Sequence, residues 1–83
     1  MSILKVSIRQ IKAARAMLDW SQADLAERSG VSEPTIKRLE ASTGELGGRV
    51  DTVQKITESL EAAGVIFIDE NGEGAGVRLR KEK

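Results

Sequence analysis

The stretch WSQADLAERSGVSEPTIKRLE, residues 20–40, contains two helix starts that lie eleven residues apart. Ser21 and Ser32 are each preceded by a large apolar residue and followed, four positions later, by an aliphatic one. A serine at a helix start accepts a hydrogen bond from an otherwise unpaired backbone N–H, and the flanking apolar pair packs together as a hydrophobic staple. The repeated spacing therefore predicts two short helices, joined by a turn, that cross steeply.

The residues between the two starts explain how such helices pack. Ala26 is small, which lets the second helix approach closely, and Gly30 permits a left-handed turn at the end of the first helix. Large aliphatic residues are placed to fill the wedge between the helices: Leu25, Val31, Ile36 and Leu39. This pattern predicts a helix-turn-helix whose second helix protrudes and fits the major groove of DNA.

The rest of the chain adds two more helices to this pair. The arrangement of apolar residue, serine and later apolar residue also occurs at Ser7, so helices are predicted to begin near residues 7, 21 and 32. Gln10, and less typically Asp24, can complete a reciprocal capping box at its own helix start. Helical spacing of apolar residues predicts a fourth helix from about residue 50 to 63, ended by Gly64.

The C-terminal residues have a different pattern, which predicts a β-hairpin. VIFID is strand-forming, ENGEGAG favours a turn, and VRLR alternates apolar residues, expected inward, with arginines, expected outward. An isolated hairpin is marginal in water, so it is expected to pack on the helices or on another chain. Because VIFI has more apolar residues than one face needs, we expect a two-fold dimer here. The residues expected at the dimer contact are Val65, Ile66, Phe67, Ile68, Val77 and Leu79.

Length and composition limit the remaining possibilities. Eighty-three residues suit one small domain, which the predicted helices make mainly α. We divide it into a helix-turn-helix part, 1–64, and an extension, 65–83, with the hairpin and a basic tail. Without Cys, His or Tyr, no metal site, cofactor or catalytic set is expected. No signal peptide or membrane span is apparent, so a cytoplasmic protein is expected. The net charge is zero, so any basic face must be local.

The chain resembles a known family, the phage-repressor-like (Cro/repressor, XRE-type) helix-turn-helix transcriptional regulators. The segment ARAMLDWSQADLAERSGVSEPTIKRLEA carries the resemblance, which extends through DTVQKITESLEAAGV and covers about residues 7–65. Ser-Gln-x-x-Leu-Ala followed by Gly-Val-Ser and Leu-Glu is more specific than a helix-turn-helix spacing alone. The resemblance implies a four-to-five-helix repressor-like fold, and it implies that Gln22 bridges to a backbone phosphate at the start of the second helix.

The resemblance also implies roles for the recognition helix, from about residue 33 to 41. Positions matching Glu33, Pro34 and Arg38 face bases, and those near Thr35 and Lys37 contact bases or phosphates. A carboxylate can accept from cytosine N4, an arginine suits guanine or a phosphate, and Pro34 offers only apolar contact, such as with a thymine methyl. The residues expected to contact DNA are Gln22, Ser32, Glu33, Pro34, Thr35, Lys37, Arg38, Thr43 and Arg49.

Arg15 and Glu40 match a family pair that forms a partly buried ion pair between the first and third helices. Two departures from the family pattern stand out. Asp19 occupies a position where the family often has glycine, and the loop after the third helix offers Thr43 and Arg49 where the family is usually richer in basic residues. The resemblance thus implies a structural ion pair, and the departure in the loop implies fewer phosphate contacts than usual.

Two classes of function fit these observations. The first is a sequence-specific DNA-binding regulator, expected to be a dimeric repressor that binds a palindromic double-stranded operator. The alternative is a protein-interaction module that keeps the fold but has its recognition helix facing a protein; zero net charge, Glu33 and Pro34 favour it. An antitoxin of a toxin–antitoxin pair would combine both functions, with the hairpin or tail binding a toxin. Two interpretations also remain for the basic tail, a solubilising end or a phosphate or partner contact, at Arg78, Arg80, Lys81 and Lys83.

Overall fold

The computed structural model describes residues 6–42, 50–70 and 72–81. The described elements are, in chain order, α1 (Ile8–Leu18), α2 (Gln22–Ser29), α3 (Glu33–Ala41), α4 (Val50–Ala62), β1 (Val65–Ile68) and β2 (Gly76–Leu79). The predicted fold class is confirmed: four helices precede a C-terminal antiparallel hairpin in the described part of the chain.

Serine side chains begin the first three helices, as predicted. Ser7 accepts a hydrogen bond from the backbone N–H of Gln10, and the Gln10 side chain accepts one from the backbone N–H of Ser7. Ser21 and Asp24 form the same reciprocal box at the start of α2. Ser32 caps α3 and is followed by a proline in the first turn, where its missing N–H costs little. The helix boundaries therefore follow from local capping.

Left-handed residues end α1 and α2. Gly30, after α2, has φ 77°, which glycine adopts without steric cost. Asp19, after α1, has φ 60° and ψ 36°, and among the described residues it is the only non-glycine residue with positive φ. Aspartate tolerates this region better than most residues but less well than glycine. The departure from the family pattern at Asp19 thus keeps the left-handed turn and adds backbone strain.

Replacing Asp19 with glycine should raise the free energy of unfolding by about 0.5 kcal/mol, because relief of the left-handed strain outweighs the greater freedom of glycine in the unfolded chain. Asp19→Ala is the matched control. Alanine lacks the local tolerance of aspartate for positive φ, so it should lower the free energy of unfolding by about 0.5–1 kcal/mol. Urea denaturation measures the free energy of unfolding of both variants. Equal changes for glycine and alanine would show that the left-handed backbone conformation at residue 19 does not affect stability.

One apolar core joins the helices to the hairpin. Leu25 of α2, Ile36 of α3 and Ile56 of α4 are almost wholly buried. Partly buried apolar side chains pack around this core: Leu18, Trp20, Ala26, Leu39 and Val77. The core residues themselves are Val6, Ile11, Ala14, Leu25, Val31, Ile36, Ile56, Leu60, Val65 and Phe67. The hairpin is therefore packed on the helices through the same core that holds α2 and α3.

The register of the hairpin gives its two faces different roles. Val65 pairs with Leu79 and Phe67 with Val77, so these four side chains share one face. Val65 and Phe67 are only 1% and 8% exposed because the core of the same chain encloses them. These two side chains are consequently not free for a partner. Val77, on the same face, is partly buried against that core. The half-buried Ile66 and Ile68 on the other face, and Leu79, which is 36% exposed, are the residues left for the predicted dimer contact, which stays a prediction.

A buried glutamine fixes the hairpin on α1. Gln10 is 4% exposed, and its Nε2 donates to the backbone oxygens of Ile68, at 3.3 Å, and Gly76, at 2.9 Å. Ile68 and Gly76 face each other across the two strands, so one amide bridges both strands to the first turn of α1. Its carbonyl is used in the cap with Ser7. This side chain therefore sets where the hairpin lies relative to the helices.

Candidate nucleic-acid interface

The α2–turn–α3 unit presents one face of α3 to solvent. Ile36 and Glu40 lie on the inner face of α3 and are buried, at 1% and 6% exposure. At about 100° per residue, positions 33, 34, 37 and 38 fall within roughly 140° of each other, with position 33 at the edge next to the inner face. Pro34, Lys37 and Arg38 are exposed there, and Glu33 is partly exposed. The outer face, as we call residues 33, 34, 37 and 38, is therefore held outward by the packing of the inner one.

Charged groups on the outer face are partly paired with each other. Lys37 Nζ lies 3.6 Å from Glu33 Oε2, an ion pair between residues one helical turn apart, with both side chains well exposed. Such surface pairs are weak, so Lys37 can exchange Glu33 for a phosphate at little cost. Arg38 is exposed and forms no side-chain hydrogen bond or ion pair with other described residues. Arg38 is thus the most available hydrogen-bond donor of this face.

Hydroxyl groups at the start of α3 are engaged with each other. Ser32 Oγ accepts from the backbone N–H of Thr35 at 3.4 Å, and the hydroxyls of Ser32 and Thr35 lie 2.8 Å apart. Ser32 is exposed and Thr35 partly exposed, so both can still meet a ligand at this helix start. The predicted contacts Thr43 and Arg49 lie outside the described residues.

The Arg15–Glu40 ion pair fixes the inner face of α3 to α1. Arg15 Nε donates to Glu40 Oε2 at 2.9 Å and Arg15 Nη2 to Glu40 Oε1 at 2.7 Å, which is a two-point contact. The Glu40 side chain is 5% exposed and the Arg15 side chain 20%. Arg15 Nη1 also donates to the backbone oxygen of Trp20, just before α2. One guanidinium therefore connects the start of α2 and the end of α3 to the first helix.

Glu40 receives further donors that the sequence did not indicate. Gln22 Nε2 donates to Glu40 Oε1 at 2.9 Å, and Lys12 Nζ lies 3.5 Å from the Glu40 backbone oxygen. Burial by itself would raise the pKa of the Glu40 carboxyl, but hydrogen bonds from Arg15 and Gln22 and the nearby positive charge hold that pKa below its ordinary value. The carboxylate thus stays ionised at neutral pH, and the pair persists there.

Comparison with known families agrees with this geometry. The model of the helix-turn-helix family of XRE type, with Cro/C1-type members, matches residues 11–61 of the 83. The chain belongs to this helix-turn-helix family. No curated protein matches the chain. The resemblance predicted from the sequence is therefore confirmed, and membership supports a DNA-binding regulator rather than an enzyme.

The helix-turn-helix match begins in α1 and ends within α4, so it includes the outer face of α3 and both partners of the ion pair. It stops before the hairpin. Among the described residues, no helix is long and apolar enough to cross a membrane. Nor does any group of acidic side chains in the described ranges have the arrangement to hold a metal ion.

Sequence reasoning did not predict several contacts of this helix-turn-helix. The Glu33–Lys37 pair could have been found, since residues four apart on a helix are neighbours. The contact between Arg28 and Trp20 gave no such signal: the guanidinium carbon lies 5.0 Å from the ring centroid, in the range of a cation–π interaction. The Gln22–Glu40 bond depends on how three helices meet, which no local pattern reveals.

Proposed function

We propose that the protein is a cytoplasmic, sequence-specific transcriptional repressor that binds a palindromic operator as a homodimer and inserts α3 into the major groove. The observation that carries this proposal is the outer face of α3. It is exposed on a helix whose inner face is fixed by a buried two-point ion pair. A rigidly held helix loses little freedom on binding, which favours specific readout.

Base readout is proposed for the outer face itself. The Arg38 guanidinium, which has no partner among the described residues, suits a guanine edge because its donors lie in a fixed fork. Glu33 is released for cytosine N4 when Lys37 moves to a phosphate, because these two side chains are paired in the free protein. Pro34 is exposed at the first turn and can pack on a thymine methyl.

Phosphate contacts are proposed on both sides of that helix. Gln22 donates one amide N–H to Glu40, and its second N–H can reach a backbone phosphate, so the same side chain would join the ion pair to DNA. Ser32 and Thr35 offer hydroxyls at the start of α3, and Thr43 and Arg49 are proposed as further phosphate contacts. Two copies with recognition helices about 34 Å apart would read successive major grooves.

Selection of bound duplexes from a random pool tests the proposal, followed by titration of the recovered site at several salt concentrations. A common sequence with two half-sites about 10 base pairs apart is expected. Affinity for it should fall about a hundredfold or more between 50 and 200 mM salt, because each neutralised phosphate releases a counterion. The control is a scrambled duplex of equal length. Recovery of no preferred sequence, with a flat salt dependence, would refute the proposal.

A protein-interaction module remains the second candidate, because the outer face pairs its own acid and base and the net charge is zero. With Lys37 and Arg38 against Glu33, the outer face has a smaller excess of positive charge than is usual in nucleic-acid binders. On this alternative, substitutions on the outer face would abolish binding of a protein and leave any weak duplex affinity unchanged. The random-duplex selection separates the two candidates.

A further inference from the structure

The hairpin has charges of opposite sign at its two ends. At the turn end, Asp69, Glu70 and Glu73 are all exposed. At the open end, where β1 begins and β2 finishes, Arg78, Arg80 and Lys81 are exposed as well. Within the part of the chain that the structure describes, none of the six forms an ion pair with another residue. The hairpin therefore presents an acidic end and a basic end, each without a described partner.

The two ends of one hairpin are too far apart to neutralise each other. Arg78 pairs with Ile66, three residues before Asp69, and the Arg80 backbone N–H donates to the oxygen of Gly64. At about 3.3 Å per residue, the closest of these opposite charges are separated by roughly 10 Å along the strands. That is about one Debye length at physiological salt, so attraction within the hairpin is largely screened.

We propose that two copies of the chain pack their hairpins antiparallel across the face that carries Ile66 and Ile68, so that the acidic turn of each lies against the basic end of the other. This inference rests on the dimer of the proposed function and adds its orientation. Ile66 and Ile68 are half-buried and lie opposite Arg78 and Gly76 on the face that points away from the core. A second copy covers these two apolar side chains without disturbing the core.

Charge selects this orientation over the other two-fold arrangement. A two-fold axis perpendicular to the strands reverses the direction of the second hairpin and brings unlike ends together at two places. An axis parallel to the strands would bring acid to acid and base to base. Like charges held together oppose association, and unlike charges steer it and fix register. The asymmetry of the hairpin thus favours the antiparallel dimer.

Charge reversal at one end tests the proposal by sedimentation equilibrium. Glu70→Lys with Glu73→Lys makes both ends basic, and Arg80→Glu with Lys81→Glu makes both ends acidic; the four positions lie outside the strands. Each double variant should raise the dimer Kd about tenfold, as two exposed pairs are lost at each contact and replaced by repulsion. Circular dichroism and thermal unfolding verify that both variants keep the fold.

Two further measurements test whether the charges act between the hairpin ends that face each other in the dimer. The variant with all four changes has a basic turn end and an acidic open end, and its net charge stays at zero. Its dimer Kd should therefore return to within about twofold of the natural value. An equimolar mixture of the two double variants should form heterodimers in native mass spectrometry. A control for net charge alone is Glu27→Lys with Glu58→Lys, at exposed positions of α2 and α4, which should leave the dimer Kd within about twofold.

Three outcomes would overturn the antiparallel hairpin dimer. The natural chain could remain monomeric at millimolar concentration, one-ended reversal could leave the Kd unchanged, or the fourfold variant could dimerise as weakly as the double variants. These results are independent of the DNA-binding test, since the selection of duplexes reads the outer face of α3. If the chain binds duplex DNA but gives one of these three outcomes, the proposal of a DNA-binding regulator is retained and only the antiparallel hairpin dimer is excluded.

Discussion

Replacing Arg15 with methionine should lower the free energy of unfolding by about 3 kcal/mol, because it leaves a buried carboxylate without its cation. Glu40 would lose two hydrogen bonds at 2.7 and 2.9 Å and keep only the amide of Gln22. The backbone oxygen of Trp20 would lose its donor as well. Small domains are stable by only a few kcal/mol, so this single change should bring the domain close to unfolding. Urea denaturation followed by circular dichroism measures it.

The control removes both charges. In the double variant Arg15→Met with Glu40→Leu, no carboxylate is buried, and apolar side chains of similar size fill the space, so part of the lost stability should return. We expect the double variant to be more stable than Arg15→Met alone by about 1–2 kcal/mol. A double variant no more stable than the single one would show that the stability lost with Arg15 is packing and its bond to Trp20, and that the pairing with Glu40 contributes nothing.

Local signals predicted most of the fold because they depend on residues a few positions apart. A serine accepts from the N–H three residues later, as Ser7 and Ser21 do, and Gly30 adopts positive φ without the steric cost that other residues have. The hairpin could also be predicted from the sequence, since its strands are separated only by a short turn-forming segment. These elements need no knowledge of tertiary packing.

Contacts between distant residues could not be predicted in this way. Gln10 was expected to cap α1, which it does, yet its amide also bonds strands 58 and 66 residues later in the chain. The apolar run VIFI is interpreted from the sequence as a dimer contact, because the sequence does not show how many of its side chains pack into the chain's own core. In the structure, Val65 and Phe67 are buried within that core. Which apolar residues remain for a partner depends on tertiary packing, which the sequence does not display.

The candidate site, too, could be predicted from the sequence only in part. Its inner contact, between Arg15 and Glu40, came from a resemblance to a family and not from spacing, since 25 residues separate the two. Its outer face followed from helical periodicity once α3 was placed. What periodicity does not give is the state of each donor, such as Lys37 paired with Glu33 and Arg38 unpaired among described residues. That difference decides which of these side chains should carry specificity.

Removing the Arg38 side chain, by Arg38→Ala, should weaken binding to the selected operator by about 10- to 100-fold and relax the base preference at one position in each half-site. The physical reason is that the complex would lose the two proposed hydrogen bonds from the guanidinium, which is unpaired among the described residues of the unbound protein, to a guanine edge. Lys37→Ala should instead weaken binding to the operator and to a scrambled duplex by similar factors, and reduce the salt slope by about one per subunit. Fluorescence anisotropy with both duplexes measures these affinities.

Arg38→Lys is the variant that separates charge from geometry at this position. Lysine keeps the positive charge but lacks the planar fork, so affinity for the scrambled duplex should stay near that of the natural chain. Affinity for the operator should fall nearly as far as in Arg38→Ala, because the second hydrogen bond to guanine cannot form. If Arg38→Lys instead binds the operator as the natural chain does, Arg38 contacts a phosphate, and the base readout of the outer face must come from Glu33 and Pro34.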